Sequence, residues 1–363
     1  MDHPLPRKET RLDPRLPWLG GVRRLLSPMA GVTDRAFREI CRRFGADMGF
    51  CEFASASGLT YGGENTWKLV DTDGEEGLVG VQIFGADPEH MAQAARLLST
   101  RRLDVLDINF GCPVKKVVQK CGGSALLADV PLLERIIRAV IDNSAVPVTA
   151  KIRTGWDEDK VNYDEVGRVL QEAGCAWVTM HGRTRAQKFT GEANWDRIAH
   201  LVEVLDIPVI GNGDVVDGQS YRAMVAHTRC HGVMIGRGAM GNPWIFQEMR
   251  AVDEGVPFVA ITFAEMCSVT ADHVRGEVAA RGERQGSLVV RAHISRCFRG
   301  YSGASAFRRR LYDAGGSAAM IALLDEAGRQ GDPRHRGQNQ DDQNQHDQNQ
   351  DEPQVDTCGE VAS

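Results

Sequence analysis

Residues 207–214, IPVIGNGD, and 232–238, GVMIGRG, are apolar runs of strand length that pass straight into glycine-punctuated turns. Short apolar runs closed by turn residues read as buried strands. Six runs of the same build precede them: RLLSPMA (24–30), MGFCEFA (48–54), LVGVQIFG (78–85), VLDINFG (105–111), VPVTAKIR (146–153) and WVTMHG (177–182). Amphipathic segments at 33–44, 88–99, 131–143, 162–173, 194–205 and 217–227 fill most of the gaps, and the spacing predicts helices there. The gap 55–77 has the weakest pattern, with a short helix expected at 64–69.

Eight strand–helix units in about 230 residues suit a (β/α)8 TIM barrel, which takes roughly 250. An open doubly wound sheet alternates in the same way. The polar residues decide between them. Nearly every run ends in chemistry: Pro28-Met29-Ala30, Glu52, Gln82, Asn109 with Cys112, Lys151 with Arg153, His181, Asn212-Gly213-Asp214 and Gly236-Arg237-Gly238. A closed barrel gathers all these ends around one mouth, whereas an open sheet spreads them along a ridge. The expected class is therefore α/β, a TIM barrel.

Beyond about residue 258 only helical periodicity remains, at 262–281, 287–301, 304–313 and 317–327, as in a small bundle. The expected domains are an N-terminal extension (1–23), the barrel (24–250), a helical domain (258–328) and a disordered Gln/Asn/Asp-rich tail (329–363).

Net charge is −6, and the tail holds most of it. A balance near zero elsewhere excludes an overwhelmingly basic chain but leaves room for a local basic groove. The nine cysteines are odd in number, scattered and without a CxxC pair, which suits reduced thiols rather than a disulfide framework or a zinc site. No signal-like core opens the sequence and no run of eighteen apolar residues occurs, so a cytoplasmic protein without membrane or metal is expected.

The loops after the seventh and eighth strands of a barrel often bind phosphate through backbone amides. Each glycine motif alone reads as a tight turn, but both at the expected places favour phosphate, with Arg237 adding a bidentate charge. Cys112, in NFGCP, sits in a rigid loop at the mouth; a thiol near its usual pKa of about 8.5 can give a proton. Lys151 and Arg153 share one strand face, and two inward cations call for an anion. His181 alone reads more readily as a hydrogen-bonded core histidine than as a ligand-binding one. Phosphate donors with Lys151, His181, Gln82 and Asn109 suit an isoalloxazine with a phosphate tail.

SPMAGVTDRAFR, VQIFGADPE, DINFGCPVKKV, KIRTGWD, HGRTR, GNGDV and GVMIGRGAMGNPWIF, in that order, resemble the tRNA-dihydrouridine synthases, and RAHISRCFRGYSGASAFRRRL resembles their tRNA-binding bundle more loosely. The resemblance implies FMN-dependent reduction of a tRNA uridine to 5,6-dihydrouridine, with NADPH as reductant and Cys112 as catalytic acid. It implies that Pro28, Met29 and Ala30 line the flavin and that Gln82, Lys151 and His181 contact its ring. Asn212, Gly213, Asp214, Gly236 and Arg237 would hold the ribityl phosphate, and Asn109 and Arg153 would face the uracil. Lys115, Lys116, Arg183 and Arg185 around the mouth, and Arg291, Arg296, Arg299 and Arg308–Arg310 on the bundle, are the expected RNA contacts of a monomer. The alternatives are an FMN barrel of the dihydroorotate dehydrogenase type, which needs no basic bundle, and a non-catalytic RNA-binding barrel, which needs no Cys112.

Overall fold

The computed structural model describes residues 5–113, 122–299, 301 and 303–331. Lys115, Lys116 and the tail beyond Gly331 lie outside them. The strands are β1 (Arg24–Leu26), β2 (Met48–Phe50), β3 (Ala54–Ser55), β4 (Leu78–Phe84), β5 (Val105–Asn109), β6 (Val148–Arg153), β7 (Val178–His181), β8 (Val209–Asn212) and β9 (Gly232–Ile235). All pairings among them are parallel. The ring closes through β1 against β9, where Leu25 meets Met234, and through β2 against β4, where Gly49 meets Val79. β2 and β3 both pair with β4 and form two pieces of one stave, so the sheet is a closed eight-staved TIM barrel.

Alternation sorts the side chains of each strand. Leu26, Val81, Ile83, Leu106, Ile108, Ala150, Ile152, Val178, Met180, Val209 and Val233 point outward and pack under the helices. Asp34, Asp87, Asp129, Asn194 and Asp217 cap the helices that follow β1, β4, the loop after β5, β7 and β8 by accepting backbone N–H groups. A last barrel helix, Ile245–Glu254, is absent from the sequence reading; it buries Ile245, Phe246 and Met249.

Inside the ring, the lower layer is apolar: Leu25, Met48, Phe50, Val105, Trp177, Ile210 and Met234. Leu16, Leu19 and Val22 complete this cluster from below, so the N-terminal extension is the floor of the barrel. Trp18 meets Trp177 edge-on, with ring centroids 6.4 Å apart. The extension is also tied along the outside. Lys8 Nζ donates to the carbonyls of Val202 (2.9 Å), Glu203 (3.0 Å) and Leu205 (2.6 Å) at the end of helix Trp195–Val204. A cation suits that end because its last carbonyls have no helical partner. Arg7 donates to Tyr221 and Asp253, both at 2.9 Å.

The described residues form two compact units, one drawn from 5–260 with 288–296 and the other from 261–287 with 297–331. The second has an aromatic centre, where Phe263 lies 5.6 Å from Phe298 and 5.0 Å from Tyr301 between ring centroids. Its first helix, Phe263–Arg281, opens with a capping box of Thr262 and Glu265. The continuous helix expected at 287–301 is instead broken into Glu283–Val289 and Arg291–Ile294, and Phe298 adopts a left-handed φ of 58°. Residues 288–296 belong with the barrel, where the His293 ring lies 4.3 Å from that of Phe37. Among the described residues no helix is long and apolar enough to cross a membrane.

Leu19 is fully buried in the floor. Leu19→Ala is expected to lower unfolding free energy by about 2–5 kcal/mol, read as a lower urea midpoint with an unchanged slope.

Candidate active site

Above the apolar floor the inward positions turn polar. Gln82 on β4, Asp107 on β5, Thr149 on β6 and Thr179 on β7 are fully buried. Asn109, Lys151, Arg153, His181 and Asn212 continue from them at the strand ends. The two-residue period stacks Asp107 under Asn109 and Lys151 under Arg153 on the inner face.

Asp107 is the lowest charge of the site. Its carboxylate accepts from Gln82 Nε2 and from Thr149 Oγ1, both at 2.6 Å. Burial pushes its pKa up to about 6. Gln82 Oε1 in turn accepts from Asn109 Nδ2 at 2.7 Å. Asn109 Oδ1 then accepts the backbone N–H of Gly111 at 3.0 Å and of Cys112 at 2.8 Å. On the far side of the loop, the Cys112 carbonyl accepts from Ser124 N (3.2 Å) and Ser124 Oγ (2.8 Å). Cys112 is thus gripped from both sides, and its residue is 7% exposed.

Lys151 Nζ donates to Asn212 Oδ1 at 2.9 Å, and Asn212 Nδ2 donates to the Met234 carbonyl at 2.7 Å. Burial, and secondly the Arg153 charge, push the Lys151 pKa down to about 7. His181 is held well below its usual pKa, first by burial and then by Lys151, Arg153, Arg183 and Arg237. The mouth therefore contains more cations than carboxylates, and a neutral imidazole.

Two arginines serve the scaffold. Arg153 Nε donates to the Gly111 carbonyl at 2.8 Å, and its Nη1 to the carbonyls of Thr184 and Lys188, both at 2.9 Å. It ties the Cys112 loop to the loop after β7. Arg183, expected from the sequence to meet RNA, is instead buried and holds Asp214 through two bonds of 2.7 Å. The reason is geometric: it follows strand end β7 by two residues, and the loop 184–194 folds over it, with the Thr190 carbonyl accepting from its Nε. Arg185 stacks on Trp156 at 4.1 Å. Asp214 also accepts from Ala193 N, and although its burial pulls the pKa upward, Arg183 holds it below the ordinary carboxylate range.

The ends of β8 and β9 form a cradle. Gly213 has a φ of 123°, and a Cβ there would lie 2.7 Å from Ala193 Cβ and 3.0 Å from His181 Cδ2. Only glycine fits. A Cβ on Gly236 would stand 3.6 Å from Met29 Sδ, which places the β1 end beside the β9 end. Among the described residues, none accepts from the backbone N–H of Gly213, Asp214, Gly236 or Arg237. Open amides beside the half-exposed guanidinium of Arg237 suit a phosphate, and the cation surplus requires an anion. This donor set fits a phosphate-bearing cofactor with a polar ring edge near Lys151, Gln82 and His181.

Asp107, Thr149 and Ser124 are missing from the sequence reading. The first two carried a signal, being polar side chains at inward positions of otherwise apolar strands. Phe189 carried none. It is 54% exposed on the loop after β7, with the guanidinium groups of Arg237 at 4.9 Å and Arg153 at 5.6 Å from its ring centre.

The family model described as Dihydrouridine synthase (Dus) matches residues 25–329. The chain is 38% identical to tRNA-dihydrouridine synthase B of Vibrio vulnificus (strain CMCP6) over 300 residues, 82% of this chain and 92% of that protein. It is 39% identical to tRNA-dihydrouridine synthase B of Vibrio cholerae serotype O1 (strain ATCC 39315 / El Tor Inaba N16961) over 286 residues, 78% of this chain and 89% of that one. The protein of the same description from Pseudomonas aeruginosa is 38% identical over 303 residues, 82% and 91% of the two chains.

With its pKa near 7, Lys151 is charged below that pH with or without a ligand. An acceptor or anion beside it raises the bound-state pKa, so binding takes up a proton above pH 7 and affinity falls as pH rises. Calorimetric titration of the apoprotein with FMN in buffers of different ionisation enthalpy is expected to show that uptake at pH 8. Lys151→Met is expected to abolish it.

Proposed function

The chain belongs to the dihydrouridine synthase family, and we propose that it reduces the C5–C6 bond of uridine in tRNA to 5,6-dihydrouridine, with FMN as cofactor and NADPH as the source of electrons. The observation that carries this reading is Cys112, fixed at the mouth by Asn109 and Ser124 within electrostatic reach of Lys151 and Arg153.

Pro28, Met29 and Ala30 would line the flavin, Gln82, Lys151 and His181 would meet its ring, and the cradle of Asn212, Gly213, Asp214, Gly236 and Arg237 would hold its phosphate. Bound and reduced at the expense of NADPH, FMN would supply the hydride for uracil C6. A uridine inside folded RNA has to leave its stack to reach the mouth, at a cost of a few kcal/mol. As C6 is reduced, negative charge develops on the uracil carbonyls. The Lys151 ammonium offsets it, and the remaining N–H groups of Asn109 and Arg153 lie on the same side. The Cys112 thiol gives its proton to C5 and recovers one from solvent. Hydride and proton together complete the two-electron reduction.

Asn109 and Arg153 have a second duty in this scheme. Asn109 gives two of its three side-chain hydrogen bonds to the Cys112 loop and Arg153 gives one of its three, so they bear on where the thiol stands as well as on what the uracil meets. For tRNA phosphates, Arg185 serves the mouth and the exposed Arg299, Arg309 and Arg310 serve the helical unit; Lys115 and Lys116, the other expected contacts, lie outside the described residues. Arg183 acts through Asp214 as a positioning residue.

Cys112→Ala is expected to bind FMN and to be reduced by NADPH as the parent is, while dihydrouridine formation falls at least about 100-fold. Stopped-flow bleaching of the flavin and nucleoside mass spectrometry of tRNA separate the two. Normal turnover by that variant would refute the assignment of the acid. Deleting the gene should abolish dihydrouridine at a defined set of tRNA uridines; an unchanged map would defeat the functional reading itself. With about six phosphates contacted, tRNA affinity is expected to fall roughly 10³-fold between 50 and 200 mM salt.

A further inference from the structure

We propose that Asp107 is a positioning residue: acting through Gln82 and Asn109, it sets the direction in which hydrogen bonds run to the Cys112 loop. The proposal rests on Cys112 being the proton donor of the reaction proposed above.

The argument is one of donors and acceptors. An ionised carboxylate only accepts, and an amide side chain has one donating and one accepting end. Asp107 is fully buried, and its two oxygens face Thr149 Oγ1 and the Gln82 amide at 2.6 Å each. Gln82 therefore turns its nitrogen down to Asp107 and its oxygen up. Asn109 answers with its nitrogen, at 2.7 Å, and so presents its own oxygen to the loop. That oxygen accepts from Gly111 N and Cys112 N. The register of β4 against β5 pairs Gln82 with Asp107, which brings the members of the chain side by side. Reverse any one amide and two acceptors or two donors meet at a buried contact between neighbouring strands.

The direction can be tested by breaking it at one end and restoring it at the other. Asn109→Asp still accepts from the loop, but its second oxygen faces the Gln82 oxygen. Gln82 must then turn over and set its oxygen against the Asp107 carboxylate. Asp107→Asn supplies a donating nitrogen at that point, while its oxygen accepts from Thr149. Alone, Asp107→Asn keeps the direction of the chain, since its amide oxygen still accepts from Gln82 and its nitrogen can donate to the Thr149 hydroxyl.

Four proteins are compared as FMN-loaded full chains: the parent, Asn109→Asp, Asp107→Asn and the double variant. Turnover on tRNA (kcat) is expected to fall about 100-fold in Asn109→Asp and by a smaller factor in Asp107→Asn, which keeps the direction of the bonds but removes a charge that supports the Lys151 ammonium. The double variant is expected to recover at least tenfold over Asn109→Asp, although position 107 lies a full inward layer below Asn109 on β5. Double-variant losses that are simply the product of the single ones would overturn the proposal. A second readout needs no substrate: the rate of Cys112 alkylation, followed by peptide mass spectrometry. It should rise at least about fivefold in Asn109→Asp and return towards the parent value in the double variant. If the parent makes no dihydrouridine, the functional reading fails, and the alkylation cycle still decides the direction of the chain. Should Asn109→Asp not fold, Asp107→Leu replaces it, since it leaves the Gln82 nitrogen nothing to donate to. Faster Cys112 alkylation in Asp107→Leu but not in Asp107→Asn supports the proposal, and equal rates overturn it.

Discussion

A charge placed where water does not reach has to be answered by its neighbours, and in this barrel that charge is Asp107. Its two short hydrogen bonds fix Thr149 and Gln82, and through Gln82 they fix Asn109 and the backbone that carries Cys112. The layer below is apolar and sealed by Leu16, Leu19 and Val22, so nothing from beneath competes for these bonds. The layer above is where a substrate is met. Precision at the mouth is inherited from a dry polar layer one step down, a common arrangement where reacting groups must be held to within a fraction of an ångström.

The mouth itself is unbalanced by design. Lys151, Arg153, Arg183 and Arg237 converge on it, while Asp214 is largely spent on Arg183. Protein alone does not neutralise such a cluster, and the Lys151 pKa of about 7 records the cost. On the proposed function, anionic phosphate and electron-rich carbonyls would bring the missing negative charge to the mouth.

Much of this was legible beforehand, for identifiable reasons. The barrel could be read because parallel strands buried on both faces are continuous apolar runs, and because their ends carry nearly all of the chemistry. Lys151 could be set on the inner face from strand periodicity, and Cys112, Asn212 and Gly213 at strand ends from the turn residues that close the apolar runs. The position of Arg183 was legible but its direction was not, because loop 184–194 folds back over it and supplies carbonyl partners that no local pattern reveals. The break between Glu283–Val289 and Arg291–Ile294 was hidden by continuous helical periodicity, and the floor by an N-terminal stretch whose composition looks like a linker.

That floor has a consequence for how the molecule comes into being. Lys8 and Arg11 bond to Arg229 and Asp206 through their backbones, and Arg7 reaches Tyr221 and Asp253. Residues 7–11, made before any barrel strand, are latched by some of the latest of the barrel to emerge. Until roughly the first 250 residues are free, the nascent chain holds an unlatched plug, and loop closures of that span slow folding. Staves can zip pairwise during synthesis, but the ring gains its stopper only when the whole circuit is complete.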